Sequence, residues 1–287
     1  MSQNEIAFYL EKFLEHLKKQ RRSISTILAY KKDIKQLISF LEEKGISQVN
    51  SVKKEDLEGF KEDLIQKNYD LKSVSRKLNA LKSFFKFLGE QGIANGNPAS
   101  LVSHPKYQPE LPRILSKLEY RALRDACRND SRMAAIIELM LQTGIRIGEV
   151  SRLKISDIKE KEMFIEAYES QPARIVPLNE SAKKAIERYL LERPKKKSKF
   201  LFLTKTGRPL LIRNIRAAIN RYFKEAGIEK AKVNDLRTTW LVHHLIKGTS
   251  PVVLQKLAGH KRLSTTERYL QFIKGEKEIE KLKLEEL

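Results

Sequence analysis

Between Gly92 and Pro112 no helix can run: Asn95-Gly96-Asn97-Pro98 and the prolines at 105, 109 and 112 interrupt every turn it would need. That stretch divides a chain of 287 residues, long enough for two cores, and reads as a linker between them. The boundary is placed near Tyr107, giving an N-terminal domain over 1–106 and a C-terminal domain over 107–287.

Before the linker, apolar residues recur at helical spacing. Ile6, Tyr9, Leu10, Phe13, Leu14 and Leu17 mark one helix. Ile27, Tyr30, Ile34, Leu37, Ile38 and Leu41 mark a second, with Ser23 and Ser25 as candidate N-caps and Gly45 as its stop. A third is expected over about 53–67 and a fourth over about 73–88, so the N-terminal domain should be a small helical bundle. After the linker the pattern is mixed but mainly helical. Helices are expected over 116–126, 133–141, 181–191, 212–226, 233–246, 251–257 and 265–273, with a last one over 277–284. Residues 163–168 and 174–178 read as a β-hairpin, and 200–204 as a further short strand.

Charge narrows the partner. Lys and Arg total 57 against 36 Asp and Glu, a formal net charge of +21 at pH 7. A well-mixed sequence with that surplus calls for a polyanion, and nucleic acid is the first candidate. The first 110 residues hold 19 basic and 14 acidic side chains, which leaves 38 and 22 for the rest. The C-terminal domain should therefore make most of the phosphate contacts. Its last dozen residues, with five Glu and three Lys, are too acidic for a DNA face. Cys127 is the only cysteine, so no disulfide forms within the chain, and a cytoplasmic location fits. No apolar run approaches the length of a membrane span, and no ligand spacing suits zinc or an EF-hand. Neither a membrane nor a cofactor is expected.

Three C-terminal segments carry candidate chemistry. The first is Thr143-Gly144-Ile145-Arg146-Ile147-Gly148-Glu149, where Gly144 lets the chain turn and aims Arg146 out of the junction. The second is Asn234-Asp235-Leu236-Arg237. The third runs Leu257-Ala258-Gly259-His260, then Ser264-Thr265-Thr266-Glu267-Arg268-Tyr269, with Ser264 and Thr265 placed to cap the helix that presents Tyr269. Each alone reads most simply as structural: a surface arginine, a packed tyrosine, a core histidine.

Together they resemble the tyrosine recombinase (phage integrase) family, Xer type. That family carries Thr-Gly-x-Arg-x-x-Glu, a later His-x-x-Arg, a Leu-x-Gly-His, and a tyrosine nine residues after that His. The N-terminal run Ser23, Ser25, Thr26, Tyr30, Asp33, and Asn97-Pro98-Ala99 beyond it, resembles the family's core-binding domain. The resemblance implies a mainly α fold: an N-terminal SAM-like helical bundle and a mainly helical catalytic domain with a small antiparallel hairpin, clamped on two faces of duplex DNA. It implies Tyr269 as nucleophile, forming a 3′-phosphotyrosyl link and freeing a 5′ hydroxyl, with Arg146, Arg237 and His260 on the phosphate. It also implies dimers on paired half-sites and tetramers across two sites, formed with itself or with a related recombinase, and docking of the C-terminal helix on a neighbour. Arg21, Arg22, Lys31, Lys32, Lys35, Arg76, Lys77, Lys82 and Arg174 are the candidate DNA contacts.

Two positions depart from the family. Its hairpin Lys, the general acid for the leaving 5′ oxygen, aligns with Glu169, and no Lys lies between Lys161 and Lys183. Its first His of His-x-x-Arg is Asn234, an amide that carries no titratable proton. The expected function is site-specific cleavage and rejoining of DNA, as in dimer resolution or element integration, at a rate weakened by both changes. The alternative is a DNA-binding protein of the same fold whose catalysis has decayed. A relaxing nickase of the type IB topoisomerase kind shares the chemistry, but the N-terminal run speaks against it.

Overall fold

The computed structural model describes residues 5–108, 112–168 and 171–272. The chain divides into two compact units, Met1–Glu110 and Leu111–Leu287. Glu169 and the acidic segment from Glu276 to Leu287 lie outside the described residues. Among the described residues, no helix is long and apolar enough to cross a membrane.

The first unit holds α1 (Phe8–Lys19), α2 (Ile24–Glu42), α3 (Lys54–Gln66) and α4 (Leu71–Glu90). Their starts follow from side-chain caps. Ser23 Oγ accepts the N–H of Thr26 at 3.1 Å, and Asp70 Oδ1 accepts those of Lys72 and Ser73 at 2.9 and 3.2 Å. The apolar stripes meet in a core whose centre is Phe13, Phe60, Phe84 and Phe85, with Phe13 edge-on to Phe84 at 5.2 Å. One polar group crosses this bundle. Asp33 on α2 is 1% exposed and takes Arg76 and Lys77 from α4, with Lys77 Nζ at 2.9 Å.

The second unit is built around α6 (Ser131–Thr143). Its stretch Met133-Ala-Ala-Ile-Ile-Glu-Leu-Met-Leu is apolar almost all round, so it lies buried along nearly its whole length. Around it stand α5 (Lys117–Cys127), the single turn α7 (Ile147–Val150), α8 (Glu180–Glu192), α9 (Ile212–Glu225) and α10 (Val233–Ile246). Then come α11 (Pro251–Ala258) and α12 (Leu263–Glu267), followed by a 3₁₀ turn over Arg268–Leu270. Cys127 is buried, which pushes its thiol up to about 11 and makes it inert. The hairpin is β1 (Glu162–Ile165) against β2 (Arg174–Pro177), antiparallel, with Met163 opposite Val176 and Ile165 opposite Arg174.

Two local expectations fail for physical reasons. Residues 200–204 form isolated bridges, Lys154 to Phe200 and Leu203 to Pro209, rather than a strand. The Arg193 guanidinium donates to the carbonyls of Ser198, Phe200 and Leu201, so these are satisfied without a neighbouring strand. The other concerns a cap: residues 265–272 are helical as expected, as α12, the 3₁₀ turn and helix again at Gln271 and Phe272, but not capped as expected. Ser264 and Thr265 lie inside α12, and its cap residue, Arg262, has no side-chain cap bond.

Candidate active site

The site begins where α6 ends. Gly144 has φ +63°, and a Cβ there would meet the Trp240 ring at 2.1 Å, so both backbone and space require glycine. The chain leaves extended through Arg146, and Glu149 Oε2 accepts the Arg146 N–H at 2.8 Å. The turn of α7 thus fixes the guanidinium-bearing residue and its carboxylate together.

The other side is the C-terminal end of α11. The last carbonyls of a helix lack intrahelical partners and carry its negative end. Here three guanidiniums satisfy them. Arg174 Nε donates to Leu257 O at 2.6 Å. Arg146 donates to Ala258 O at 3.0 Å and Gly259 O at 3.2 Å. Arg237 donates to Ala258 O at 2.7 Å and also to Gly144 O. Gly259 is again left-handed, and a Cβ there would lie 2.8 Å from Arg174 Nη1.

His260 follows directly. Its Nε2 lies 2.8 Å from Arg237 Nη2 and its Nδ1 lies 2.8 Å from Thr266 Oγ1. A guanidinium only donates, so Nε2 accepts, and the ring's single proton sits on Nδ1 and goes to Thr266. Burial, then Arg237 and Arg146, push His260 down to about 3, so it is neutral at physiological pH. Burial also lowers Arg146 and Arg237, which repel each other. Glu149 is pushed up by its own burial but pulled further down by Arg174 and Arg146, and it is the carboxylate that balances this cluster.

Tyr269 sits on the 3₁₀ turn, 9% exposed, stacked at 6.5 Å on Phe272 and packed among Trp240, Leu241 and Leu254. A charge on its phenol would stabilise the guanidiniums of both Arg146 and Arg237, so the three share one electrostatic neighbourhood. Arg146, Asn234 and Arg237 line an open groove of about 490 Å³, joined there by Arg216 and Asn220 of α9 and by Lys232. Arg146, Arg237, His260, Tyr269 and Asn234 thus come to one place.

The candidate DNA contacts lie in both units. Arg174, expected on DNA, turns inward: its side chain is 7% exposed and gives two 2.8 Å bonds to Glu149. Lys77 is likewise no phosphate contact, because it is 3% exposed and held by Asp33 and Gln36. Arg76 also engages Asp33, although nearly half of its side chain is exposed. Lys31 pairs with Glu11 at 2.7 Å, and Lys82 is half-buried. Arg21, Arg22, Lys32 and Lys35 are exposed. Sequence reasoning missed Thr266, Arg216, Asn220 and Lys232. The repeated Ser-Thr-Thr could have signalled a histidine partner. The basic face of α9, with Arg213, Arg216, Arg221 and Lys224 opposite its apolar stripe, could have signalled the groove.

Comparison with known proteins agrees with this geometry. Residues 113–275 match the phage integrase family, and residues 10–92 match the phage integrase N-terminal SAM-like domain. Tyrosine recombinase XerC of Thermodesulfovibrio yellowstonii is 34% identical over 279 residues, covering 91% of each chain. Tyrosine recombinase XerD of Listeria monocytogenes is 30% identical over 279 residues, covering 92% of this chain and 94% of that one. The crystal structure of XerA recombinase superposes with a TM-score of 0.56 at 26% identity, covering 98% of this chain and all of that one. A lambda integrase dimer bound to a COC′ core site superposes with a TM-score of 0.76 over 92% of this chain and 77% of that one; at 17% identity it shows the fold. By both domain matches and by relatives that align along most of its length, the chain belongs to the phage integrase family, among its Xer-type tyrosine recombinases.

Proposed function

We propose that this chain is a site-specific DNA recombinase that cuts and rejoins duplex DNA through Tyr269. The observation that carries the reading is that Arg146 and Arg237 line one groove, His260 hydrogen-bonds Arg237, and Tyr269 lies within electrostatic reach of both guanidiniums, with Glu149 the buried carboxylate against them among the described residues. Attack at phosphorus gathers negative charge on the non-bridging oxygens, and preorganised guanidiniums suit that charge. Arg146 and Arg237 are held by backbone carbonyls, so they wait in position rather than reorganise. A phosphate drawn between Arg237 and His260 favours a proton on Nε2, which turns His260 from acceptor into donor. The phenol of Tyr269 attacks, the 3′ phosphate becomes esterified to it, and the 5′ oxygen leaves. The phosphotyrosyl link keeps the bond energy, so a second strand rejoins without ATP.

Arg21, Arg22, Lys32 and Lys35 are the N-terminal side chains we assign to phosphates, since they are exposed. The working partner is duplex DNA with paired half-sites, bound by dimers and tetramers of this chain or of this chain with a related recombinase. A decayed enzyme would not need to keep Arg237 on His260 or Arg146 and Arg237 on one carbonyl, that of Ala258, and these retained contacts support the active reading. The test is incubation with a nicked suicide duplex and a search for a covalent protein–DNA band. Wild type should form it, and Tyr269→Phe should bind the duplex but form none. An adduct of equal yield in that variant would remove Tyr269 as the nucleophile.

A further inference from the structure

We propose that Lys232 is the group that protonates the 5′ oxygen as it leaves. The proposal rests on the recombinase reading above. Tyr269 attack expels an alkoxide from the sugar, a strongly basic leaving group that needs a proton in the transition state. The site offers few groups that can give one. Arg146 and Arg237 spend their protons on the carbonyls of Gly144, Ala258 and Gly259, and a guanidinium is in effect always protonated. His260 is held between Arg237 and Thr266, so the proton it offers at Nε2 when a phosphate is bound goes to the non-bridging oxygen beside Arg237. Asn234 is an amide, and Glu149 is a buried carboxylate held by Arg174. The hairpin has no ammonium to offer, because no Lys occurs between Lys161 and Lys183.

Lys232 remains. It lines the same groove as Arg146, Asn234 and Arg237, and among the described residues that line it Lys232 is the only titratable one that is not an arginine. It occupies the N-cap position of α10, where Asp235 Oδ2 accepts its backbone N–H at 2.7 Å, so its Cα is fixed to the helix that carries Arg237. Its side chain is exposed, so the ammonium is free to swing into the groove. The reach is that of a flexible four-carbon stem bearing three donors.

The Tyr269 oxygen forms its bond to phosphorus, and the bond from phosphorus to O5′ breaks. The O5′ electron pair takes a proton from the Lys232 Nζ, which becomes a neutral amine. The phenol proton passes to solvent at the open groove, and the amine stays neutral while the strand is held on Tyr269. In rejoining, the neutral amine takes the proton of the attacking 5′ hydroxyl, the bond from phosphorus to the Tyr269 oxygen breaks, and that oxygen takes a proton from solvent.

The test replaces the bridging 5′ oxygen by sulfur. A thiolate leaves without protonation, so loss of a general acid is silent on the sulfur substrate. The probe is a nicked suicide duplex whose half-site is enriched from random-sequence DNA by binding to the wild-type chain, made in both versions. Single-turnover adduct formation is followed for wild type, Lys232→Ala and Lys232→Arg. On oxygen, both variants should be slower by on the order of 10²–10⁴, with DNA binding retained. On sulfur, all three should react alike. Lys232→Ala cleaving the oxygen substrate at the wild-type rate would overturn the assignment. So would an equal deficit on both substrates, which would mark Lys232 as a binding residue. A wild type that forms no adduct even with sulfur would instead overturn the recombinase reading on which the proposal stands.

Discussion

Replacing Arg174 by Ala should unfold the catalytic unit more readily, and most severely at neutral pH. Arg174 is 7% exposed and holds Glu149, itself 1% exposed, through two 2.8 Å bonds. Without it, Glu149 keeps the Arg146 N–H at 2.8 Å and a guanidinium contact at 3.4 Å, too little for a carboxylate shut away from water. Breaking one side of a buried pair costs about 3–5 kcal/mol. In wild type, burial raises the Glu149 pKa, but Arg174 and Arg146 outweigh it and hold the group below its ordinary value of 4.5. A depressed folded pKa gives stability that is present above the unfolded value and lost as pH falls through the folded one. In the variant burial has less opposition, and the folded pKa rises above the unfolded one. The variant's penalty is then full at neutral pH and fades as Glu149 takes up a proton in mild acid.

The assay is urea unfolding followed by Trp240 emission. Trp240 is the only tryptophan, it is 5% exposed, and it packs on Gly144, so it reports on this unit. The free-energy gap between wild type and Arg174→Ala should narrow from pH 7.5 towards pH 5. The double variant Arg174→Met with Glu149→Met should recover much of the loss, because no charge is left stranded. A loss under about 1 kcal/mol, the range of an exposed pair, or a gap that does not change with pH, would refute the inward role and return Arg174 to the DNA face.

Two further outcomes follow from the packing. Gly144→Ala should cost about 1–2 kcal/mol for the left-handed backbone and a further 1–3 kcal/mol or so for overpacking against Trp240. Adding Trp240→Leu should return part of this in a thermal melt followed by circular dichroism, and a single variant as stable as wild type would contradict the close approach. Asp33→Asn should strand the buried Lys77 ammonium and destabilise the N-terminal bundle by about 3–5 kcal/mol, read as faster amide exchange in α2 and α4; unchanged exchange would show that Asp33 is not the tie between them.

The helices were legible because a buried stripe leaves its period in the sequence. The stripe of α2, Ile27, Ile34, Leu37, Ile38 and Leu41, is the one buried in the structure. The hairpin was legible too, but its arginine was misread. Arg174 looks like a surface cation until Glu149, 25 residues earlier, is seen to accept both its ends. No local pattern encodes a pairing of that separation, and the same is true of Lys77 and Asp33, 44 residues apart. Ser264 and Thr265 had the residue types of a cap, yet the functional hydroxyl is the next one, on Thr266, because the chain turns back there onto His260. A cap is chosen by backbone direction, which composition does not record.

What the sequence left least visible is the use of a helix end. The motif residues at 146, 174 and 237 share only their charge, and three guanidiniums so close repel one another. They are held because α11 stops at Gly259 and leaves the carbonyls of Leu257, Ala258 and Gly259 facing them. The negative end of that helix and the single carboxylate of Glu149 offset part of the repulsion. Their partial charge and one full negative charge do not cancel three positive ones, and the neutral His260, pushed down to about 3, adds none. Among the described residues the site is therefore short of negative charge, and a phosphodiester entering the groove supplies it. Extra charge developing on that phosphate in the transition state is drawn by the same deficit, so the electrostatics that bind the strand also favour its cleavage.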